Sequence, residues 1–245
     1  MGEGTATALP PEGFLLVSAT IKLFSTLAVQ GALPELVARY QAATGNAVDI
    51  HFAATNGILE RLAAGETGDV AIVTRAALDD LAARGVMRPD SVTDIAVSHV
   101  GIAVKAGSPT PDISSVDALK AALLAAKSLA YSRIGASGVF FAGLIKRLGI
   151  ADAVNAKAII TAGLTGEVVA RGEAELAVQQ ISELMQVSGL DIVGPLPPAA
   201  ESITMFSAGV FSASAQTDAA RQLIAALRSP AAGKALVAAG LERPA

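Results

Sequence analysis

Residues 52 to 74 read FAATNGILERLAAGETGDVAIVT, an apolar strand, a small polar turn, a helix and a second apolar strand. The turn, Thr55-Asn56-Gly57, holds no nucleophile, base or metal ligand. It offers two side-chain oxygens and the backbone amides that a helix start leaves unbonded, a set suited to holding an anion rather than breaking a bond. Two arginines stand at similar junctions: Arg75 directly after Thr74 at a strand end, and Arg133 in a loop before a helix. A guanidinium fork matches a carboxylate through two parallel bonds, so this pair suits an organic acid. A polar cluster, Gln179, Gln180, Ser182 and Glu183, follows the apolar stretch ELAV. Glu183 and His99, the latter inside an apolar strand, are ionisable groups near these turns, either of which could serve as a base if the cleft moved a proton.

Each of these has a plainer alternative. Thr and Asn are preferred helix N-caps whatever the function. Arg75 also fits a solvated first turn of a helix, Arg133 a pair with a surface carboxylate, and the Gln-Glu cluster simple capping. A lone His in an apolar strand is commonly a hydrogen-bonded structural residue.

The elements around these residues follow from periodicity. Strands are expected at 21–25, 47–53 and 69–74, each followed by a helix, at 30–43, 58–64 and 76–84, with Thr55 or Asn56 capping the second. Gly45, Gly65 and Gly85 close the helices. This alternation of apolar strands and helices predicts a parallel α/β sheet. A longer strand at 96–105 leads into the turn GSPTPD, and the alternation then restarts: helix 116–126, strand 128–132, helix 139–148, strand 157–160, helix 166–171, and strands 176–179 and 190–193. After PLPP at 195–198 come a strand at 203–211 and two last helices at 218–227 and 231–239. The pattern predicts two lobes, with residues 20–100 in the first, 101–203 in the second and 204–245 returning to the first. Ala96–Lys105 and Ile203–Phe211 are then the crossings. Ligands of open α/β sheets sit beyond the carboxyl ends of strands, so the turns at 25–29, 55–57, 74–75, 133–138 and 179–183 are expected to face one interlobe cleft.

Composition narrows the function. The 245 residues are 52% hydrophobic and 16% charged, a globular balance. A net charge of −4 supplies no basic field for a nucleic-acid backbone. The chain has no cysteine and two histidines, which removes thiolate chemistry and two-His metal motifs; no metal or cofactor is expected. No run reaches the ~20 apolar residues a membrane span requires. The start, MGEGTATALPPEGFLLVSAT, lacks a basic n-region, which reads as cytoplasmic, or as periplasmic if a leader has been removed. GxSxG, Walker, GxGxxG and HExxH motifs are absent, removing the usual hydrolase, nucleotide and zinc-protease readings.

The ordered series LFSTLAVQGALPELVARYQAATGNAV (23–48), GDVAIVT (68–74), ASGVFFAGLIKRLGI (136–150), VVARGEAELAVQQISEL (168–184) and LRSPAAGKALVAAGL (227–241) resembles the type II periplasmic binding protein superfamily, in particular its molybdate-binding-protein-like solute-binding group. The resemblance implies two hinged lobes closing as a monomer on a small anionic ligand, with an ABC permease as partner. It places Ser25, Thr26, Thr55 and Asn56 at the ligand from one lobe, and the amides of Ala136, Ser137 and Gly138 from the other. Gln179 falls where oxyanion-binding members carry a tyrosine, a departure that favours an organic carboxylate over molybdate. Some proteins of this fold resemble binding proteins yet isomerise tricarboxylic acids such as aconitate, which is the alternative function; Glu183 or His99 then supplies the base.

Overall fold

The computed structural model describes residues 19–244, so the reading of the amino end as free of an export signal lies outside the described residues. In chain order the elements are β1 (Thr20–Thr26), α1 (Leu33–Thr44), β2 (Ala47–Ala53), α2 (Thr55–Ala63), β3 (Val70–Thr74), α3 (Arg75–Ala83), β4 (Thr93–Lys105), α4 (Val116–Ala125), β5 (Leu129–Tyr131), α5 (Ala136–Arg147), α6 (Ala151–Asn155), β6 (Ala158–Ile160), α7 (Thr165–Ala170), β7 (Leu176–Gln180), α8 (Ile181–Leu184), β8 (Leu190–Pro195), β9 (Ile203–Val210), α9 (Thr217–Leu227) and α10 (Pro230–Ala238). The first helix starts later than periodicity predicts. Leu27–Val29 form a separate 3-10 turn, and Pro34 near the start of α1, with its fixed φ, favours a helix beginning there.

The strands form two sheets that share β4. In the first, the order β2-β1-β3-β9 continues into the Thr93–His99 half of β4; β1, β2 and β3 are parallel, and β9 runs against β3. In the second, the Val100–Lys105 half of β4 lies between β8 and β7, and β7, β5 and β6 are parallel. β4 is therefore one crossing strand, as expected. The second crossing differs from expectation: β9 pairs only with β3 and the first half of β4, so it lies wholly in the first sheet. The chain returns through residues 196–202, where Leu196 N–H donates to Val100 O and Val100 N–H donates to Ser202 O.

Period-two alternation gives each sheet two buried faces. Ile21, Leu23, Val70 and Ile72 point towards α1, α9 and α10, while Phe24, Ala71 and Val73 point towards α2 and α3. In the second sheet Val100, Ile102, Tyr131 and Val178 meet α4, α5 and α6, with Tyr131 and Phe141 edge-on at 5.2 Å. The other face is small, Ala103, Ala130 and Ala177, which lets α7 and α8 pack close through Val168, Val169 and Leu184. Each buried Leu- or Phe-sized side chain stabilises by about 1.5–3 kcal/mol, and each lobe has its own core.

Candidate functional site

Strand direction sets where the polar turns gather. Because β1, β2 and β3 are parallel, Thr26, Ala53 and Thr74 end on one edge of the first sheet. β9 runs the other way with Phe206 opposite Thr74, which puts its start, Ile203-Thr204, on that same edge. In the second sheet Tyr131 pairs with Val178, so Ser132 and Gln180 mark the carboxyl ends of β5 and β7. Gln180 pairs with Val100, where β4 passes between sheets.

Two helices begin on these edges with their first amides unsatisfied. α2 was expected to be capped by Thr55 or Asn56; instead Ala54 occupies the cap position and the first intrahelical bond runs from Ile58 N–H to Ala54 O. The amides of Thr55, Asn56 and Gly57 precede it. Thr55 is 5% exposed and its Oγ1 is buried with no partner, while Asn56 is exposed. α5 starts in the same way from Gly135, with Val139 N–H to Gly135 O as its first bond. Ser132 Oγ accepts from the amides of Ile134 and Gly135, which folds the loop and leaves those of Ala136, Ser137 and Gly138 pointing forward. A Cβ on Gly138 would lie 1.5 Å from Ser132 O, so only glycine lets this first turn rest against the end of β5. Ser137 is buried.

The other long helices are finished at their starts. Thr74, Ser115 and Ser229 cap α3, α4 and α10 through their side-chain oxygens, and α1 and α9 carry Glu35 and Asp218 in their first turns. Among the described helices, α2 and α5 alone have neither a capping side chain nor a first-turn acid. Positive helix ends without a resident negative group are places where an anion is favoured.

The two arginines differ. Arg75 Nε donates to Asp79 Oδ1 at 2.9 Å and its Nη1 to Asp94 Oδ1 at 2.9 Å, and Asp94 also accepts from Ser207. It is committed to intramolecular carboxylates, one of them four residues along its own helix, so the two-arginine clamp is not assembled. Thr74 is likewise engaged in capping α3. Arg133 is exposed and has no ion pair among the described residues.

Alternation also sorts the Gln179–Glu183 cluster. Gln179 shares a face with Ala177 and turns towards α7, where its Oε1 accepts from Thr165 N–H at 2.6 Å and Thr165 Oγ1 at 2.9 Å. It caps α7 rather than facing the α5 start. Gln180 shares the opposite face with Val178 and α5. Its Nε2 donates to Thr204 Oγ1 at 2.9 Å, joining β7 to β9. Its Oε1 is buried with no partner. Glu183 is the third residue of α8, and its carboxyl interacts with the Gln180 backbone amide and the Gln179 side chain. Burial pushes this carboxyl up to about 7, and the two hydrogen bonds only partly oppose the shift. His99 is engaged at both ring nitrogens, Nδ1 with Glu201 at 2.7 Å and Nε2 with Glu242 at 3.1 Å, and neither nitrogen is free for a ligand. It ties β4 to the second crossing and the chain end.

Contacts across the hinge include residues that the sequence did not single out. Ser98 Oγ meets Ser182 Oγ at 3.2 Å, and Gln186 Nε2 donates to Leu27 O at 2.9 Å. Ser182 belongs to the polar cluster read from the sequence, and Gln186 lies four residues further on, just past the end of α8. A cavity of about 480 Å³ lies between the lobes, lined by Gln30, Pro34 and Phe52 from the first and Ser182, Met185 and Gln186 from the second. Ser25 is fully buried and does not line this cavity, its Oγ donating to Thr26 O. Another cavity, of about 500 Å³, opens beside Leu176 at the start of β7, away from all these residues.

Residues 21–242 match the family described as bacterial extracellular solute-binding protein. The chain belongs to that family. A relative from Pseudomonas sp, named aconitate isomerase, is 40% identical over 230 residues, spanning 91% of this chain and 87% of the relative. The fold matches the periplasmic molybdate-binding protein of Azotobacter vinelandii with a TM-score of 0.76 at 20% identity, covering 92% of this chain and all (100%) of that one. It also matches the sulfate-binding protein SubI of Mycobacterium tuberculosis H37Rv with a TM-score of 0.73 at 14% identity, covering 92% and 87%. The fold is thus the two-lobed type II periplasmic binding protein architecture, and the family role is solute binding.

Proposed function

We propose that the cleft takes an unsaturated tricarboxylate of the aconitate class and interconverts its isomers by proton transfer. The observation that carries this reading is Glu183, a buried carboxyl in α8 paired with no cation among the described residues and pushed up to about 7 by burial. A group with that affinity accepts and returns a proton at pH 7. The free amides of α2 and α5, Thr55 Oγ1 and the unpaired Arg133 supply positive and donor groups for several carboxylates. The 40% identity with the aconitate isomerase supports the same substrate class.

In this reaction Glu183 removes a proton from the methylene carbon beside the double bond, and the electron pair spreads over the three-carbon allyl unit and its carboxylates. Glu183 then returns the proton to the former vinyl carbon. The double bond has moved by one position, the new alkene is cis or trans, and no oxidant or reductant enters the balance. Helix-start amides and Arg133 favour the step by meeting the negative charge that develops.

The test is isomer composition. Wild-type protein is incubated with cis-aconitate in heavy water and followed by proton NMR; conversion towards trans-aconitate is expected, and Glu183→Gln removes it while His99→Asn does not. A second reading, capture of the same anion for an ABC permease, is favoured by the family, whose description is extracellular and supports a periplasmic place of work. An unchanged mixture at high protein concentration, with both isomers bound, selects that second reading.

A further inference from the structure

Gln179 and Gln180 are neighbours of identical type, yet the strand turns them to opposite faces, and only Gln180 is left incomplete. Its side chain is 2% exposed and shares a sheet face with α5, whose first turn has free amides. It stands where the sheets meet, and its partner Thr204 belongs to the other lobe. Buried polar atoms are nearly always partnered, and an orphan where the two lobes meet calls for a partner that a ligand group can supply. As drawn, the orphan is the acceptor Oε1. Thr204 carries a hydroxyl, which accepts or donates with equal ease. Rotating the amide by half a turn therefore keeps the Thr204 bond, now O–H to Oε1, and leaves Nε2 as the unpartnered atom, a donor.

We propose that Gln180 is the residue that meets the charge developing on the substrate: with Thr204 holding its oxygen, its Nε2–H donates to the carboxylate into which the allylic electron pair spreads. The inference rests on the isomerase reading and deepens it. Among the described residues, no other side chain has this pair of features, a buried orphan atom and a reversible anchor in the opposite lobe. Lobe closure positions the donor, because the anchor and the strand bearing Gln180 lie on either side of the hinge. Thr204 is a positioning residue and Gln180 the one that touches substrate.

The experiment combines turnover of cis-aconitate with calorimetric binding of tricarballylate, a saturated tricarboxylate that cannot isomerise. Gln180→Leu is expected to lower kcat by about 100-fold or more, the scale of losing one donor to developing charge, while tricarballylate binds within about threefold of wild type, because ground-state binding is a separate quantity. Thr204→Val is expected to lower kcat by roughly tenfold and Thr204→Ser to restore it, since only the hydroxyl anchors the amide. Retained tricarballylate binding shows that the variants fold. Wild-type turnover with an unimpaired kcat in Gln180→Leu overturns the inference and leaves the isomerase reading in place. Parallel loss of turnover and tricarballylate binding also overturns it, making Gln180 a plain ground-state contact. A wild-type protein that binds tricarballylate but converts nothing sinks the isomerase reading, and this inference with it.

Discussion

The starts of α2 and α5 differ from the starts of α3, α4 and α10 in how they are finished. The latter three are closed by Thr74, Ser115 and Ser229, whose oxygens accept from the amide three residues ahead. The former two begin from Ala54 and Gly135, without a capping side chain and without an acid in the first turn. Replacing a Ser or Thr cap by Ala costs about 0.5–2 kcal/mol and by Gly only about a few tenths, so the Ala54 start carries the larger cost and the Gly135 start a small one. Leaving one such start open in each lobe makes sense when a ligand supplies the missing acceptors. The peripheral helices show what the chain does when stability alone is at stake.

The comparison breaks most severely at Gly138. Gly138→Ala drives a methyl group to within 1.5 Å of Ser132 O, a backbone atom that cannot turn aside. Loss of more than about 4 kcal/mol is expected, enough to unfold the second lobe, measured by denaturant titration. Gly57 occupies the corresponding turn of α2, and its nearest neighbour to an added Cβ is Ala53 Cβ at 3.6 Å. Gly57→Ala is therefore expected to gain about 0.5–1 kcal/mol from helix propensity.

A second contrast lies at α8, whose first turn does carry an acid. Glu183 is raised from 4.5 to about 7, so the folded protein favours its neutral form. The stability this contributes is fully present below about pH 4.5 and is lost as pH rises through 7. The full loss is about 3 kcal/mol as an upper bound. Glu183→Gln is expected to match wild type near pH 4 and to exceed it by up to that amount at pH 8.5, by denaturant titration at both pH values. A variant gaining stability while losing turnover would place Glu183 at the function rather than the fold.

Smaller effects separate the two classes of helix start. Ser115→Ala, which removes the cap of α4, is expected to cost about 1 kcal/mol and to leave anion affinity unchanged. Thr55→Val replaces a buried hydroxyl that bonds nothing, so unliganded stability is expected to hold or rise slightly. Its affinity for cis-aconitate is expected to fall about tenfold, the loss of one charge-assisted bond. Thermal melting and calorimetry on both variants give the crossed pattern.

Much of the fold was legible because its signals are local. Strict alternation of apolar strands with glycine-stopped helices placed β2 at its observed bounds and β3 within a residue. The crossing at residues 196–202 was missed because β9 is apolar enough to cross or to stay, and only its pairing with β3 decides. The four-residue α8 is too short to show a helical period. At the site, Thr55 and Asn56 look like caps, since sequence cannot show which residue takes the extended cap conformation; Ala54 does. Asp79 lies four residues after Arg75, so one of its two ion pairs was readable, whereas Asp94 comes from another element. Gln179 and Gln180 are indistinguishable by type, and strand parity separates the α7 cap from the hinge residue.

The central claim, that an anion completes the starts of α2 and α5, is tested most directly by putting a fixed negative charge there. Asn56→Asp adds a carboxylate to the exposed first turn of α2, and Ala76→Asp adds one to the first turn of α3. Either change alone is expected to stabilise the unliganded protein by about 0.3–1 kcal/mol through the helix dipole. Calorimetric titration with cis-aconitate then discriminates: the dissociation constant is predicted to rise about tenfold or more in Asn56→Asp, because like charges compete for one site, and to stay at the wild-type value in Ala76→Asp. Unchanged affinity in Asn56→Asp, or equal losses in both variants, would contradict the claim and make the bare helix starts incidental to binding.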